Sequence, residues 1–163
     1  MKKTIVIIIL AVYIASIAVV NFFGLEVKMF DSITYVTGIQ CDTVTFLGDN
    51  GKEITPQWLG NTPMFTFDFI PAPEDKPYTT DPESLTTNPN IIQINYEVMP
   101  HLADEAGIEF IYDENSGVAV YHELSGSFIF LKCDVLLDVT IRATDGSGVQ
   151  TKITIYSRAP EAE

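Results

Sequence analysis

The stretch VTIRATDGSGVQTKITIY, Val139 to Tyr156, decides the fold class of this chain. In it, two runs of alternating apolar and polar residues flank the segment DGSG at residues 145–148. Alternation with a period of two is typical of a strand that buries one face. Asp-Gly and the second Gly tolerate the positive φ that a tight hairpin connection needs. The stretch therefore predicts an antiparallel hairpin with one face on a core.

The same pattern recurs along the chain that precedes this hairpin. Short runs rich in Val, Ile, Thr, Tyr and Phe end at Gly, Pro, Asn or Asp, and helical periodicity is almost absent. Eight strands at this spacing predict an all-β sandwich. The predicted strands are Tyr35 to Leu47, Met64 to Ile70, Ile91 to Met99, Gly107 to Tyr112, Val118 to His122, Ser127 to Leu131, Val135 to Ala143 and Val149 to Tyr156.

The beginning of the chain has a different character. No charged residue lies between Ile5 and Phe23, and two lysines precede this run, so it is long enough to cross a membrane with the lysines in the cytoplasm. A cleaved signal peptide is the alternative, with a cleavage site at residues 16–18. Because the apolar run continues past that site, we expect an uncleaved signal anchor at residues 1–25. Residues 26–163 then form one extracellular domain of a single-pass membrane protein.

The charge of the chain excludes some classes of partner. The net charge is -13, and all 22 acidic residues follow the predicted anchor. An acidic surface repels nucleic acid and anionic lipid, and solubility is its first explanation. Calcium is the alternative, because the loops Gly48 to Glu53 and Asp113 to Gly117 are rich in carboxylates, but neither has the spacing of a calcium-binding loop. We expect no metal and no cofactor.

The two cysteines, Cys41 and Cys133, both fall on the predicted extracellular side, where a disulfide can form. A bridge would close a loop of about ninety residues and stabilise the fold by on the order of 4 kcal/mol. The alternative is two unpaired buried thiols that act as small hydrophobic groups. Their spacing is too long for a metal-binding pair. Both interpretations stay open.

Residues 48–90 form a segment that we name the Pro-rich excursion. It holds seven of the nine prolines, between Pro56 and Pro89, and shows no sustained alternation. Proline fixes φ and removes a backbone donor, so most of the excursion is predicted to be a long ordered surface loop. Long loops of this kind are often functional.

Within the excursion, the run MFTFDFI places Phe65, Phe67 and Phe69 on one face of a predicted strand. Three alternating aromatic rings bury a large area wherever they pack. The first interpretation is that they join the core. The second is an exposed face that binds a partner.

No catalytic motif stands out. The two histidines, His101 and His122, have no metal-binding spacing, and Ser125 and Ser127 in ELSGSF lack the strand-to-helix elbow of a serine nucleophile. The ELSGSF segment predicts a tight turn. We therefore expect that the protein is not an enzyme.

Three segments resemble the group 2 bacterial immunoglobulin-like domains. They are VTGIQCDTVTF at Val36 to Phe46, INYEVMPHLADEAGIEFIYDENSGVAVY at Ile94 to Tyr121, and VTIRATDGSGVQTKITI at Val139 to Ile155. The chain departs from the family in the Pro-rich excursion and at Cys133 and Asp134, where the family commonly has a Pro-Gly turn. The resemblance implies an immunoglobulin-like β-sandwich that serves display, adhesion, carbohydrate contact or assembly without catalysis.

Two functions are therefore expected as alternatives. In the first, a membrane-anchored cell-envelope protein presents an immunoglobulin-like module that binds a protein or a cell-wall glycan. In the second, the chain is an accessory subunit of a larger membrane or envelope complex. It would then dock through the Pro-rich excursion and the stripe formed by Phe65, Phe67 and Phe69.

Overall fold

Ten strands and one short helix form the fold in the computed structural model, which describes residues 33–101, 103 and 107–160. The strands are β1 (Gly38–Phe46), β2 (Lys52–Ile54), β3 (Gln57–Leu59), β4 (Thr62–Asp68), β5 (Ile91–Met99), β6 (Ile108–Ile111), β7 (Ala119–His122), β8 (Ser127–Phe130), β9 (Val135–Ala143) and β10 (Gln150–Arg158), and the helix is α1 (Pro82–Thr87).

The strands form two five-stranded sheets. The first has the order β2-β1-β5-β8-β7 and is antiparallel throughout. The second has the order β3-β4-β10-β9-β6, in which β4 runs parallel to β10 and the other pairs are antiparallel. Apolar residues from both sheets share one core. The predicted all-β sandwich and its eight strands are confirmed for the described residues, whereas β2, β3 and α1 were not predicted.

The predicted membrane anchor lies outside the described residues. The chain divides into two units, residues 1–33 and 34–163, and the sheets belong to the second. Within the described ranges, none of the helical segments has the length and hydropathy needed to span a bilayer. The predicted boundary between residues 25 and 26 also falls outside them.

The closing hairpin has the predicted geometry. β9 and β10 pair in antiparallel register, with Val139 opposite Ile153 and Leu137 opposite Ile155. All four side chains are buried in the core. Gly146 and Gly148 have positive φ, as the turn chemistry predicts.

A bulge lets β1 keep one face on the core. Ile39 and Cys41 are buried at odd positions, whereas Val44 and Phe46 are buried at even positions. The register with β5 shifts between Gln40 and Thr43, which inserts one extra residue into β1. Such a bulge restores the buried face after a break in alternation.

The aromatic stripe of β4 belongs to the core. Phe65, Phe67 and Phe69 are all buried, and the ring of Phe67 lies 5.0 Å from those of Phe46 and Phe130. These side chains are therefore not an exposed surface for a partner. Burial fits the first of the two sequence interpretations, because the stripe faces the opposite sheet across the sandwich.

The Pro-rich excursion has more regular structure than its composition predicts. It contains β2, β3, β4 and α1, and Pro82 occupies the start of α1, where a missing N–H costs no hydrogen bond. Ile129 lies on the outward side of β8, beside Leu85 of α1, and is nevertheless buried. The helix therefore covers part of the outer face of the first sheet.

Two buried asparagines connect the excursion to both sheets. Asn88 Nδ2 donates to the Phe130 carbonyl of β8 at 2.8 Å. Asn90 Oδ1 accepts from the Ile70 N–H at 2.8 Å, and Asn90 Nδ2 donates to the Ile70 carbonyl at 2.9 Å and to Asn88 Oδ1 at 3.0 Å. These bonds satisfy polar groups inside the fold and hold the chain after β4 against β8.

Candidate binding groove at the sheet edge

β3 covers only the first part of β4. Its three residues pair with residues 62–64, and Leu59 stands opposite Thr62. β4 continues to Asp68 and pairs with β10 along its other side from Met64 onward. In the described part of the chain, residues 65–68 of β4 therefore have no strand on their outer side.

The direction of the backbone groups follows from the pairing with β10. In a strand, the N–H and C=O groups of alternate residues point to the same side. The Phe69 N–H donates to the Arg158 carbonyl at 2.8 Å, so Phe67 also directs its backbone groups toward β10. Thr66 and Asp68 then direct theirs to the open edge. Pro63 fits this alternation, because its missing N–H falls on the side away from β3.

A groove lies beside this open edge, and we name it the edge groove. It has a volume of about 280 Å³ and runs between the edges of the two sheets. Phe46, Ile54 and Phe67 contribute its apolar lining, and four charged side chains surround them. The lining residues are Phe46, Asp49, Lys52, Glu53, Ile54, Thr55, Gln57, Thr66, Phe67 and Asp68.

The charges of the edge groove are predominantly negative. Lys52 Nζ lies 3.5 Å from Asp49 Oδ2, and Asp68 accepts a hydrogen bond from Arg158 Nε at 2.7 Å. Among the described residues, Glu53 forms no ion pair. The lining thus carries three carboxylates and one ammonium group.

β3 lies beside the groove, and its large apolar side chains are exposed. Trp58 and Leu59 of β3 are 68% and 69% exposed. Gly60 has a φ of +65° at the first position of the two-residue turn to β4, where a primed hairpin turn favours glycine. The turn therefore sets the register of β3 and ends it at Leu59.

The histidine and serines noted in the sequence meet in the turn between β7 and β8. His122 Nδ1 lies 2.8 Å from Ser125 Oγ, which lies 2.6 Å from Ser127 Oγ. Gly126 has positive φ and donates its N–H to the His122 carbonyl at 2.9 Å. These contacts close a tight turn, as ELSGSF predicts. His101 lies at the other end of β5 and is not part of this cluster.

The two cysteines of the possible disulfide are free thiols in the structure. Cys41 is buried in β1, and Cys133 is exposed between β8 and β9. Burial, together with the nearby Asp42 carboxylate, raises the pKa of Cys41 to about 12. Cys41 therefore matches the alternative of a buried hydrophobic thiol, and Cys133 does not.

The two acidic loops have different surroundings. The loop Gly48 to Glu53 contributes to the edge groove. In the other loop, Asp113 Oδ1 accepts the Asn115 N–H at 3.0 Å and so caps a turn of 3₁₀ helix. The described residues contain no group of three or more His, Cys, Asp or Glu side chains placed to hold a metal ion.

The edge groove was not predicted from the sequence. The nearest sequence signal is the Pro-rich excursion, which is predicted to be a functional surface loop that contains one strand, Met64 to Ile70. The QWLGNT segment, Gln57 to Thr62, contains the hairpin signal, but its apolar run is too short to be read as a strand. Comparison with protein-family models, curated proteins and solved structures finds no match.

Proposed function

We propose that this chain is a non-catalytic, membrane-anchored cell-envelope protein whose immunoglobulin-like sandwich binds another protein through the edge groove. The observation that carries the proposal is the open part of β4. There, the outward backbone groups of Thr66 and Asp68 pair with no strand in the described part of the chain, and they lie beside a groove with an apolar floor and acidic sides. Concave sites with a few convergent polar groups are the usual form of binding sites.

The order of the strands supports the immunoglobulin-like part of the proposal. An immunoglobulin sandwich places strands A, B, E and D in one sheet and C, F and G in the other. The order β1-β5-β8-β7 corresponds to the first sheet, and β6-β9-β10 corresponds to the second. β4 joins the G position in parallel, and β2 and β3 are additions from the excursion. Neither β5 nor β9 contains the cysteine of an antibody-type disulfide.

The location of the groove favours the role of an accessory subunit in a larger envelope complex. Most of its lining comes from the Pro-rich excursion, which is the segment that the group 2 family pattern does not contain. Phe67 contributes only to the floor of the groove, because its side chain is buried in the core. Docking is therefore assigned to the rim and the open edge rather than to the phenylalanine stripe.

The membrane anchor rests on the sequence. The uncharged run from Ile5 to Phe23 has the length of a transmembrane helix, and Lys2 and Lys3 place its start in the cytoplasm. The sandwich is then extracellular, where its partner is a surface protein or, as the alternative, a cell-wall glycan.

Site-specific photo-crosslinking in cells tests the proposal. A benzoylphenylalanine at Gln57, in the groove, is expected to cross-link to one partner protein in the membrane fraction. The control position is Leu124, which is 95% exposed in the turn between β7 and β8. The same protein should not be captured from Leu124. Equal capture from both positions, or no protein adduct from Gln57, would contradict docking at the groove.

A further inference from the structure

We infer that the edge groove takes an extended, basic segment of the partner protein, which adds to β4 as a strand in line with β3. This inference rests on the proposed binding function and specifies its chemistry. Strand addition uses the unpaired main-chain groups of an exposed sheet edge for affinity and side-chain pockets for specificity.

The main chain of β4 provides the pairing surface. Thr66 and Asp68 together direct two N–H donors and two C=O acceptors to the open edge, since the backbone of Phe67 faces β10. β3 already occupies the same edge at residues 62–64, in antiparallel register. An incoming strand would therefore continue a pairing that the fold itself begins, with four hydrogen bonds to this part of β4.

The open part of the edge lacks the usual protection against pairing. Natural edge strands are commonly blunted by proline, a bulge or lysine. Pro63 is the proline of β4, and it lies where β3 already pairs. Residues 65–68 are in regular register with β10, with no bulge. The charged residue on this part is Asp68, whose carboxylate is paired with Arg158 of β10.

Charge selects the kind of strand. In the groove, Asp49 pairs with Lys52 and Asp68 pairs with Arg158, whereas Glu53 forms no ion pair with any described residue. The chain as a whole has a net charge of -13. Electrostatic complementarity accelerates association and rejects partners of like charge. A second copy of this chain would present the same acidic rim, so the occupant is a different protein with Lys or Arg beside its paired residues. Its intervening small apolar side chains would reach Phe46 and Phe67.

Titration of the full-length protein in detergent micelles with defined peptides tests the inference. The probe is the peptide acetyl-Lys-Val-Thr-Val-Lys-Val-amide, and Glu replaces Lys in its charge-reversed analogue. We expect the Lys peptide to slow hydrogen exchange of the Thr66 and Asp68 amides, observed by NMR. The Glu peptide is expected to bind at least tenfold more weakly.

Two substitutions at one position separate backbone pairing from side-chain contact. Thr66→Pro removes an outward N–H and leaves the pairing of β4 with β10 intact, because Thr66 does not bond to β10. It should weaken binding of the Lys peptide at least tenfold. Thr66→Val keeps the N–H and should bind within about twofold of wild type. The amide signals of β9 and β10 report whether each variant is folded.

A charge variant gives a test that does not depend on proline. Glu53→Lys should weaken the Lys peptide and strengthen the Glu peptide. Unchanged binding of both peptides to Glu53→Lys, or wild-type binding to a folded Thr66→Pro variant, would overturn the inference. Binding by both of the two Lys peptides that are methylated on opposite sets of alternate amide nitrogens would also overturn it, because one set must face β4.

The two proposals fail in different ways. If the Gln57 cross-link persists at full yield in Thr66→Pro, the binding function stands and strand addition is wrong. If the Lys peptide protects the two amides but Gln57 captures no protein in cells, strand addition stands as chemistry and the proposed function is wrong.

Discussion

Asn90 is the residue on which the Pro-rich excursion depends most directly. Its side chain is fully buried and forms hydrogen bonds with both backbone groups of Ile70 and with Asn88 Oδ1. A sequence pattern gives no reason to bury an asparagine, because polar residues between prolines are typical of exposed loops. Its role arises from the end of β4 passing close to the start of β5.

Asn90→Ala should destabilise the sandwich by about 2 kcal/mol, because the N–H and the carbonyl of Ile70 lose their hydrogen bonds to a fully buried side chain. The measurement is the free energy of unfolding from denaturant titration. Asn95→Ala is the matched control, since Asn95 donates to the hydroxyls of Thr43 and Thr45 on the outer face. The control should cost less than about 1 kcal/mol. Equal losses would show that the buried bonds contribute nothing specific.

The cysteines allow a direct test between the two interpretations that the sequence leaves open, a disulfide and two free thiols. At pH 8, without reductant, Cys133 should react with a thiol reagent within minutes because it is exposed. Cys41 should react only after unfolding, because it is buried and its pKa is raised to about 12. Mass spectrometry counts the labels, and Cys133→Ser should remove the fast one. No label on the unfolded, unreduced protein would instead indicate the bridge.

Among the elements, the β9–β10 hairpin agrees best with its sequence prediction. Its turn also makes a contact that the turn residues do not predict. Asp145 Oδ1 accepts the Ser147 N–H at 2.9 Å within the turn, and Asp145 Oδ2 accepts the N–H of Val36. The turn therefore also holds the chain where it enters β1, a contact across 109 residues. Local alternation predicts the hairpin, whereas nothing near Asp145 predicts Val36.

Asp145 should make stability depend on pH in acid. Hydrogen bonds from Ser147 and from Val36 hold its pKa below the ordinary value of about 4. The stability that these bonds give the carboxylate is fully present above the unfolded-state pKa and is lost as pH falls through the lower folded-state value. Wild type should therefore be more stable than Asp145→Asn at pH 7, with the difference shrinking below about pH 4.

Denaturant midpoints at several pH values measure this difference. Asp75→Asn, in the exposed part of the excursion, is the charge-matched control. A difference between wild type and Asp145→Asn that stays constant down to pH 2 would contradict the role of the carboxylate.

The short strands β2 and β3 show why part of the excursion's structure could not be predicted. Each has three residues, and their pattern of exposure does not alternate. They are strands because β1 and β4 supply backbone partners, and so their existence depends on tertiary contacts. The open edge of β4, and therefore the edge groove, follows from the short length of β3.

In the whole molecule, acidic residues outnumber the Lys and Arg residues that could neutralise them in ion pairs. Five cations of the described chain each pair with a carboxylate on the surface, where such pairs contribute about 0–1 kcal/mol. The cations are Lys52, Lys76, Arg142, Lys152 and Arg158. The net charge of -13 therefore acts mainly as self-repulsion.

Added salt should stabilise the fold at neutral pH. The screening length falls from about 30 Å at 0.01 M to about 10 Å at 0.1 M salt, which weakens long-range repulsion more than close ion pairs. We expect the melting temperature at pH 7 to rise by a few degrees, measured by circular dichroism over that range. Near pH 4.3, the isoelectric point, the rise should disappear. A fall in melting temperature at pH 7 would show that the ion pairs dominate.

The amino-acid pattern alone is sufficient for the all-β class, the eight longer strands and the closing hairpin. Alternation and turn residues act over a few neighbouring positions, so they can be read locally. The separation of Cys41 from Cys133, the burial of Asn90 and the open edge beside Thr66 emerge only from the folded chain. Each depends on segments that meet from far apart, as Arg158 of β10 meets Asp68 of β4 across 90 residues. Such pairing leaves no local pattern in the sequence, because alternation decides which face of a strand is buried but does not name the distant strand beside it.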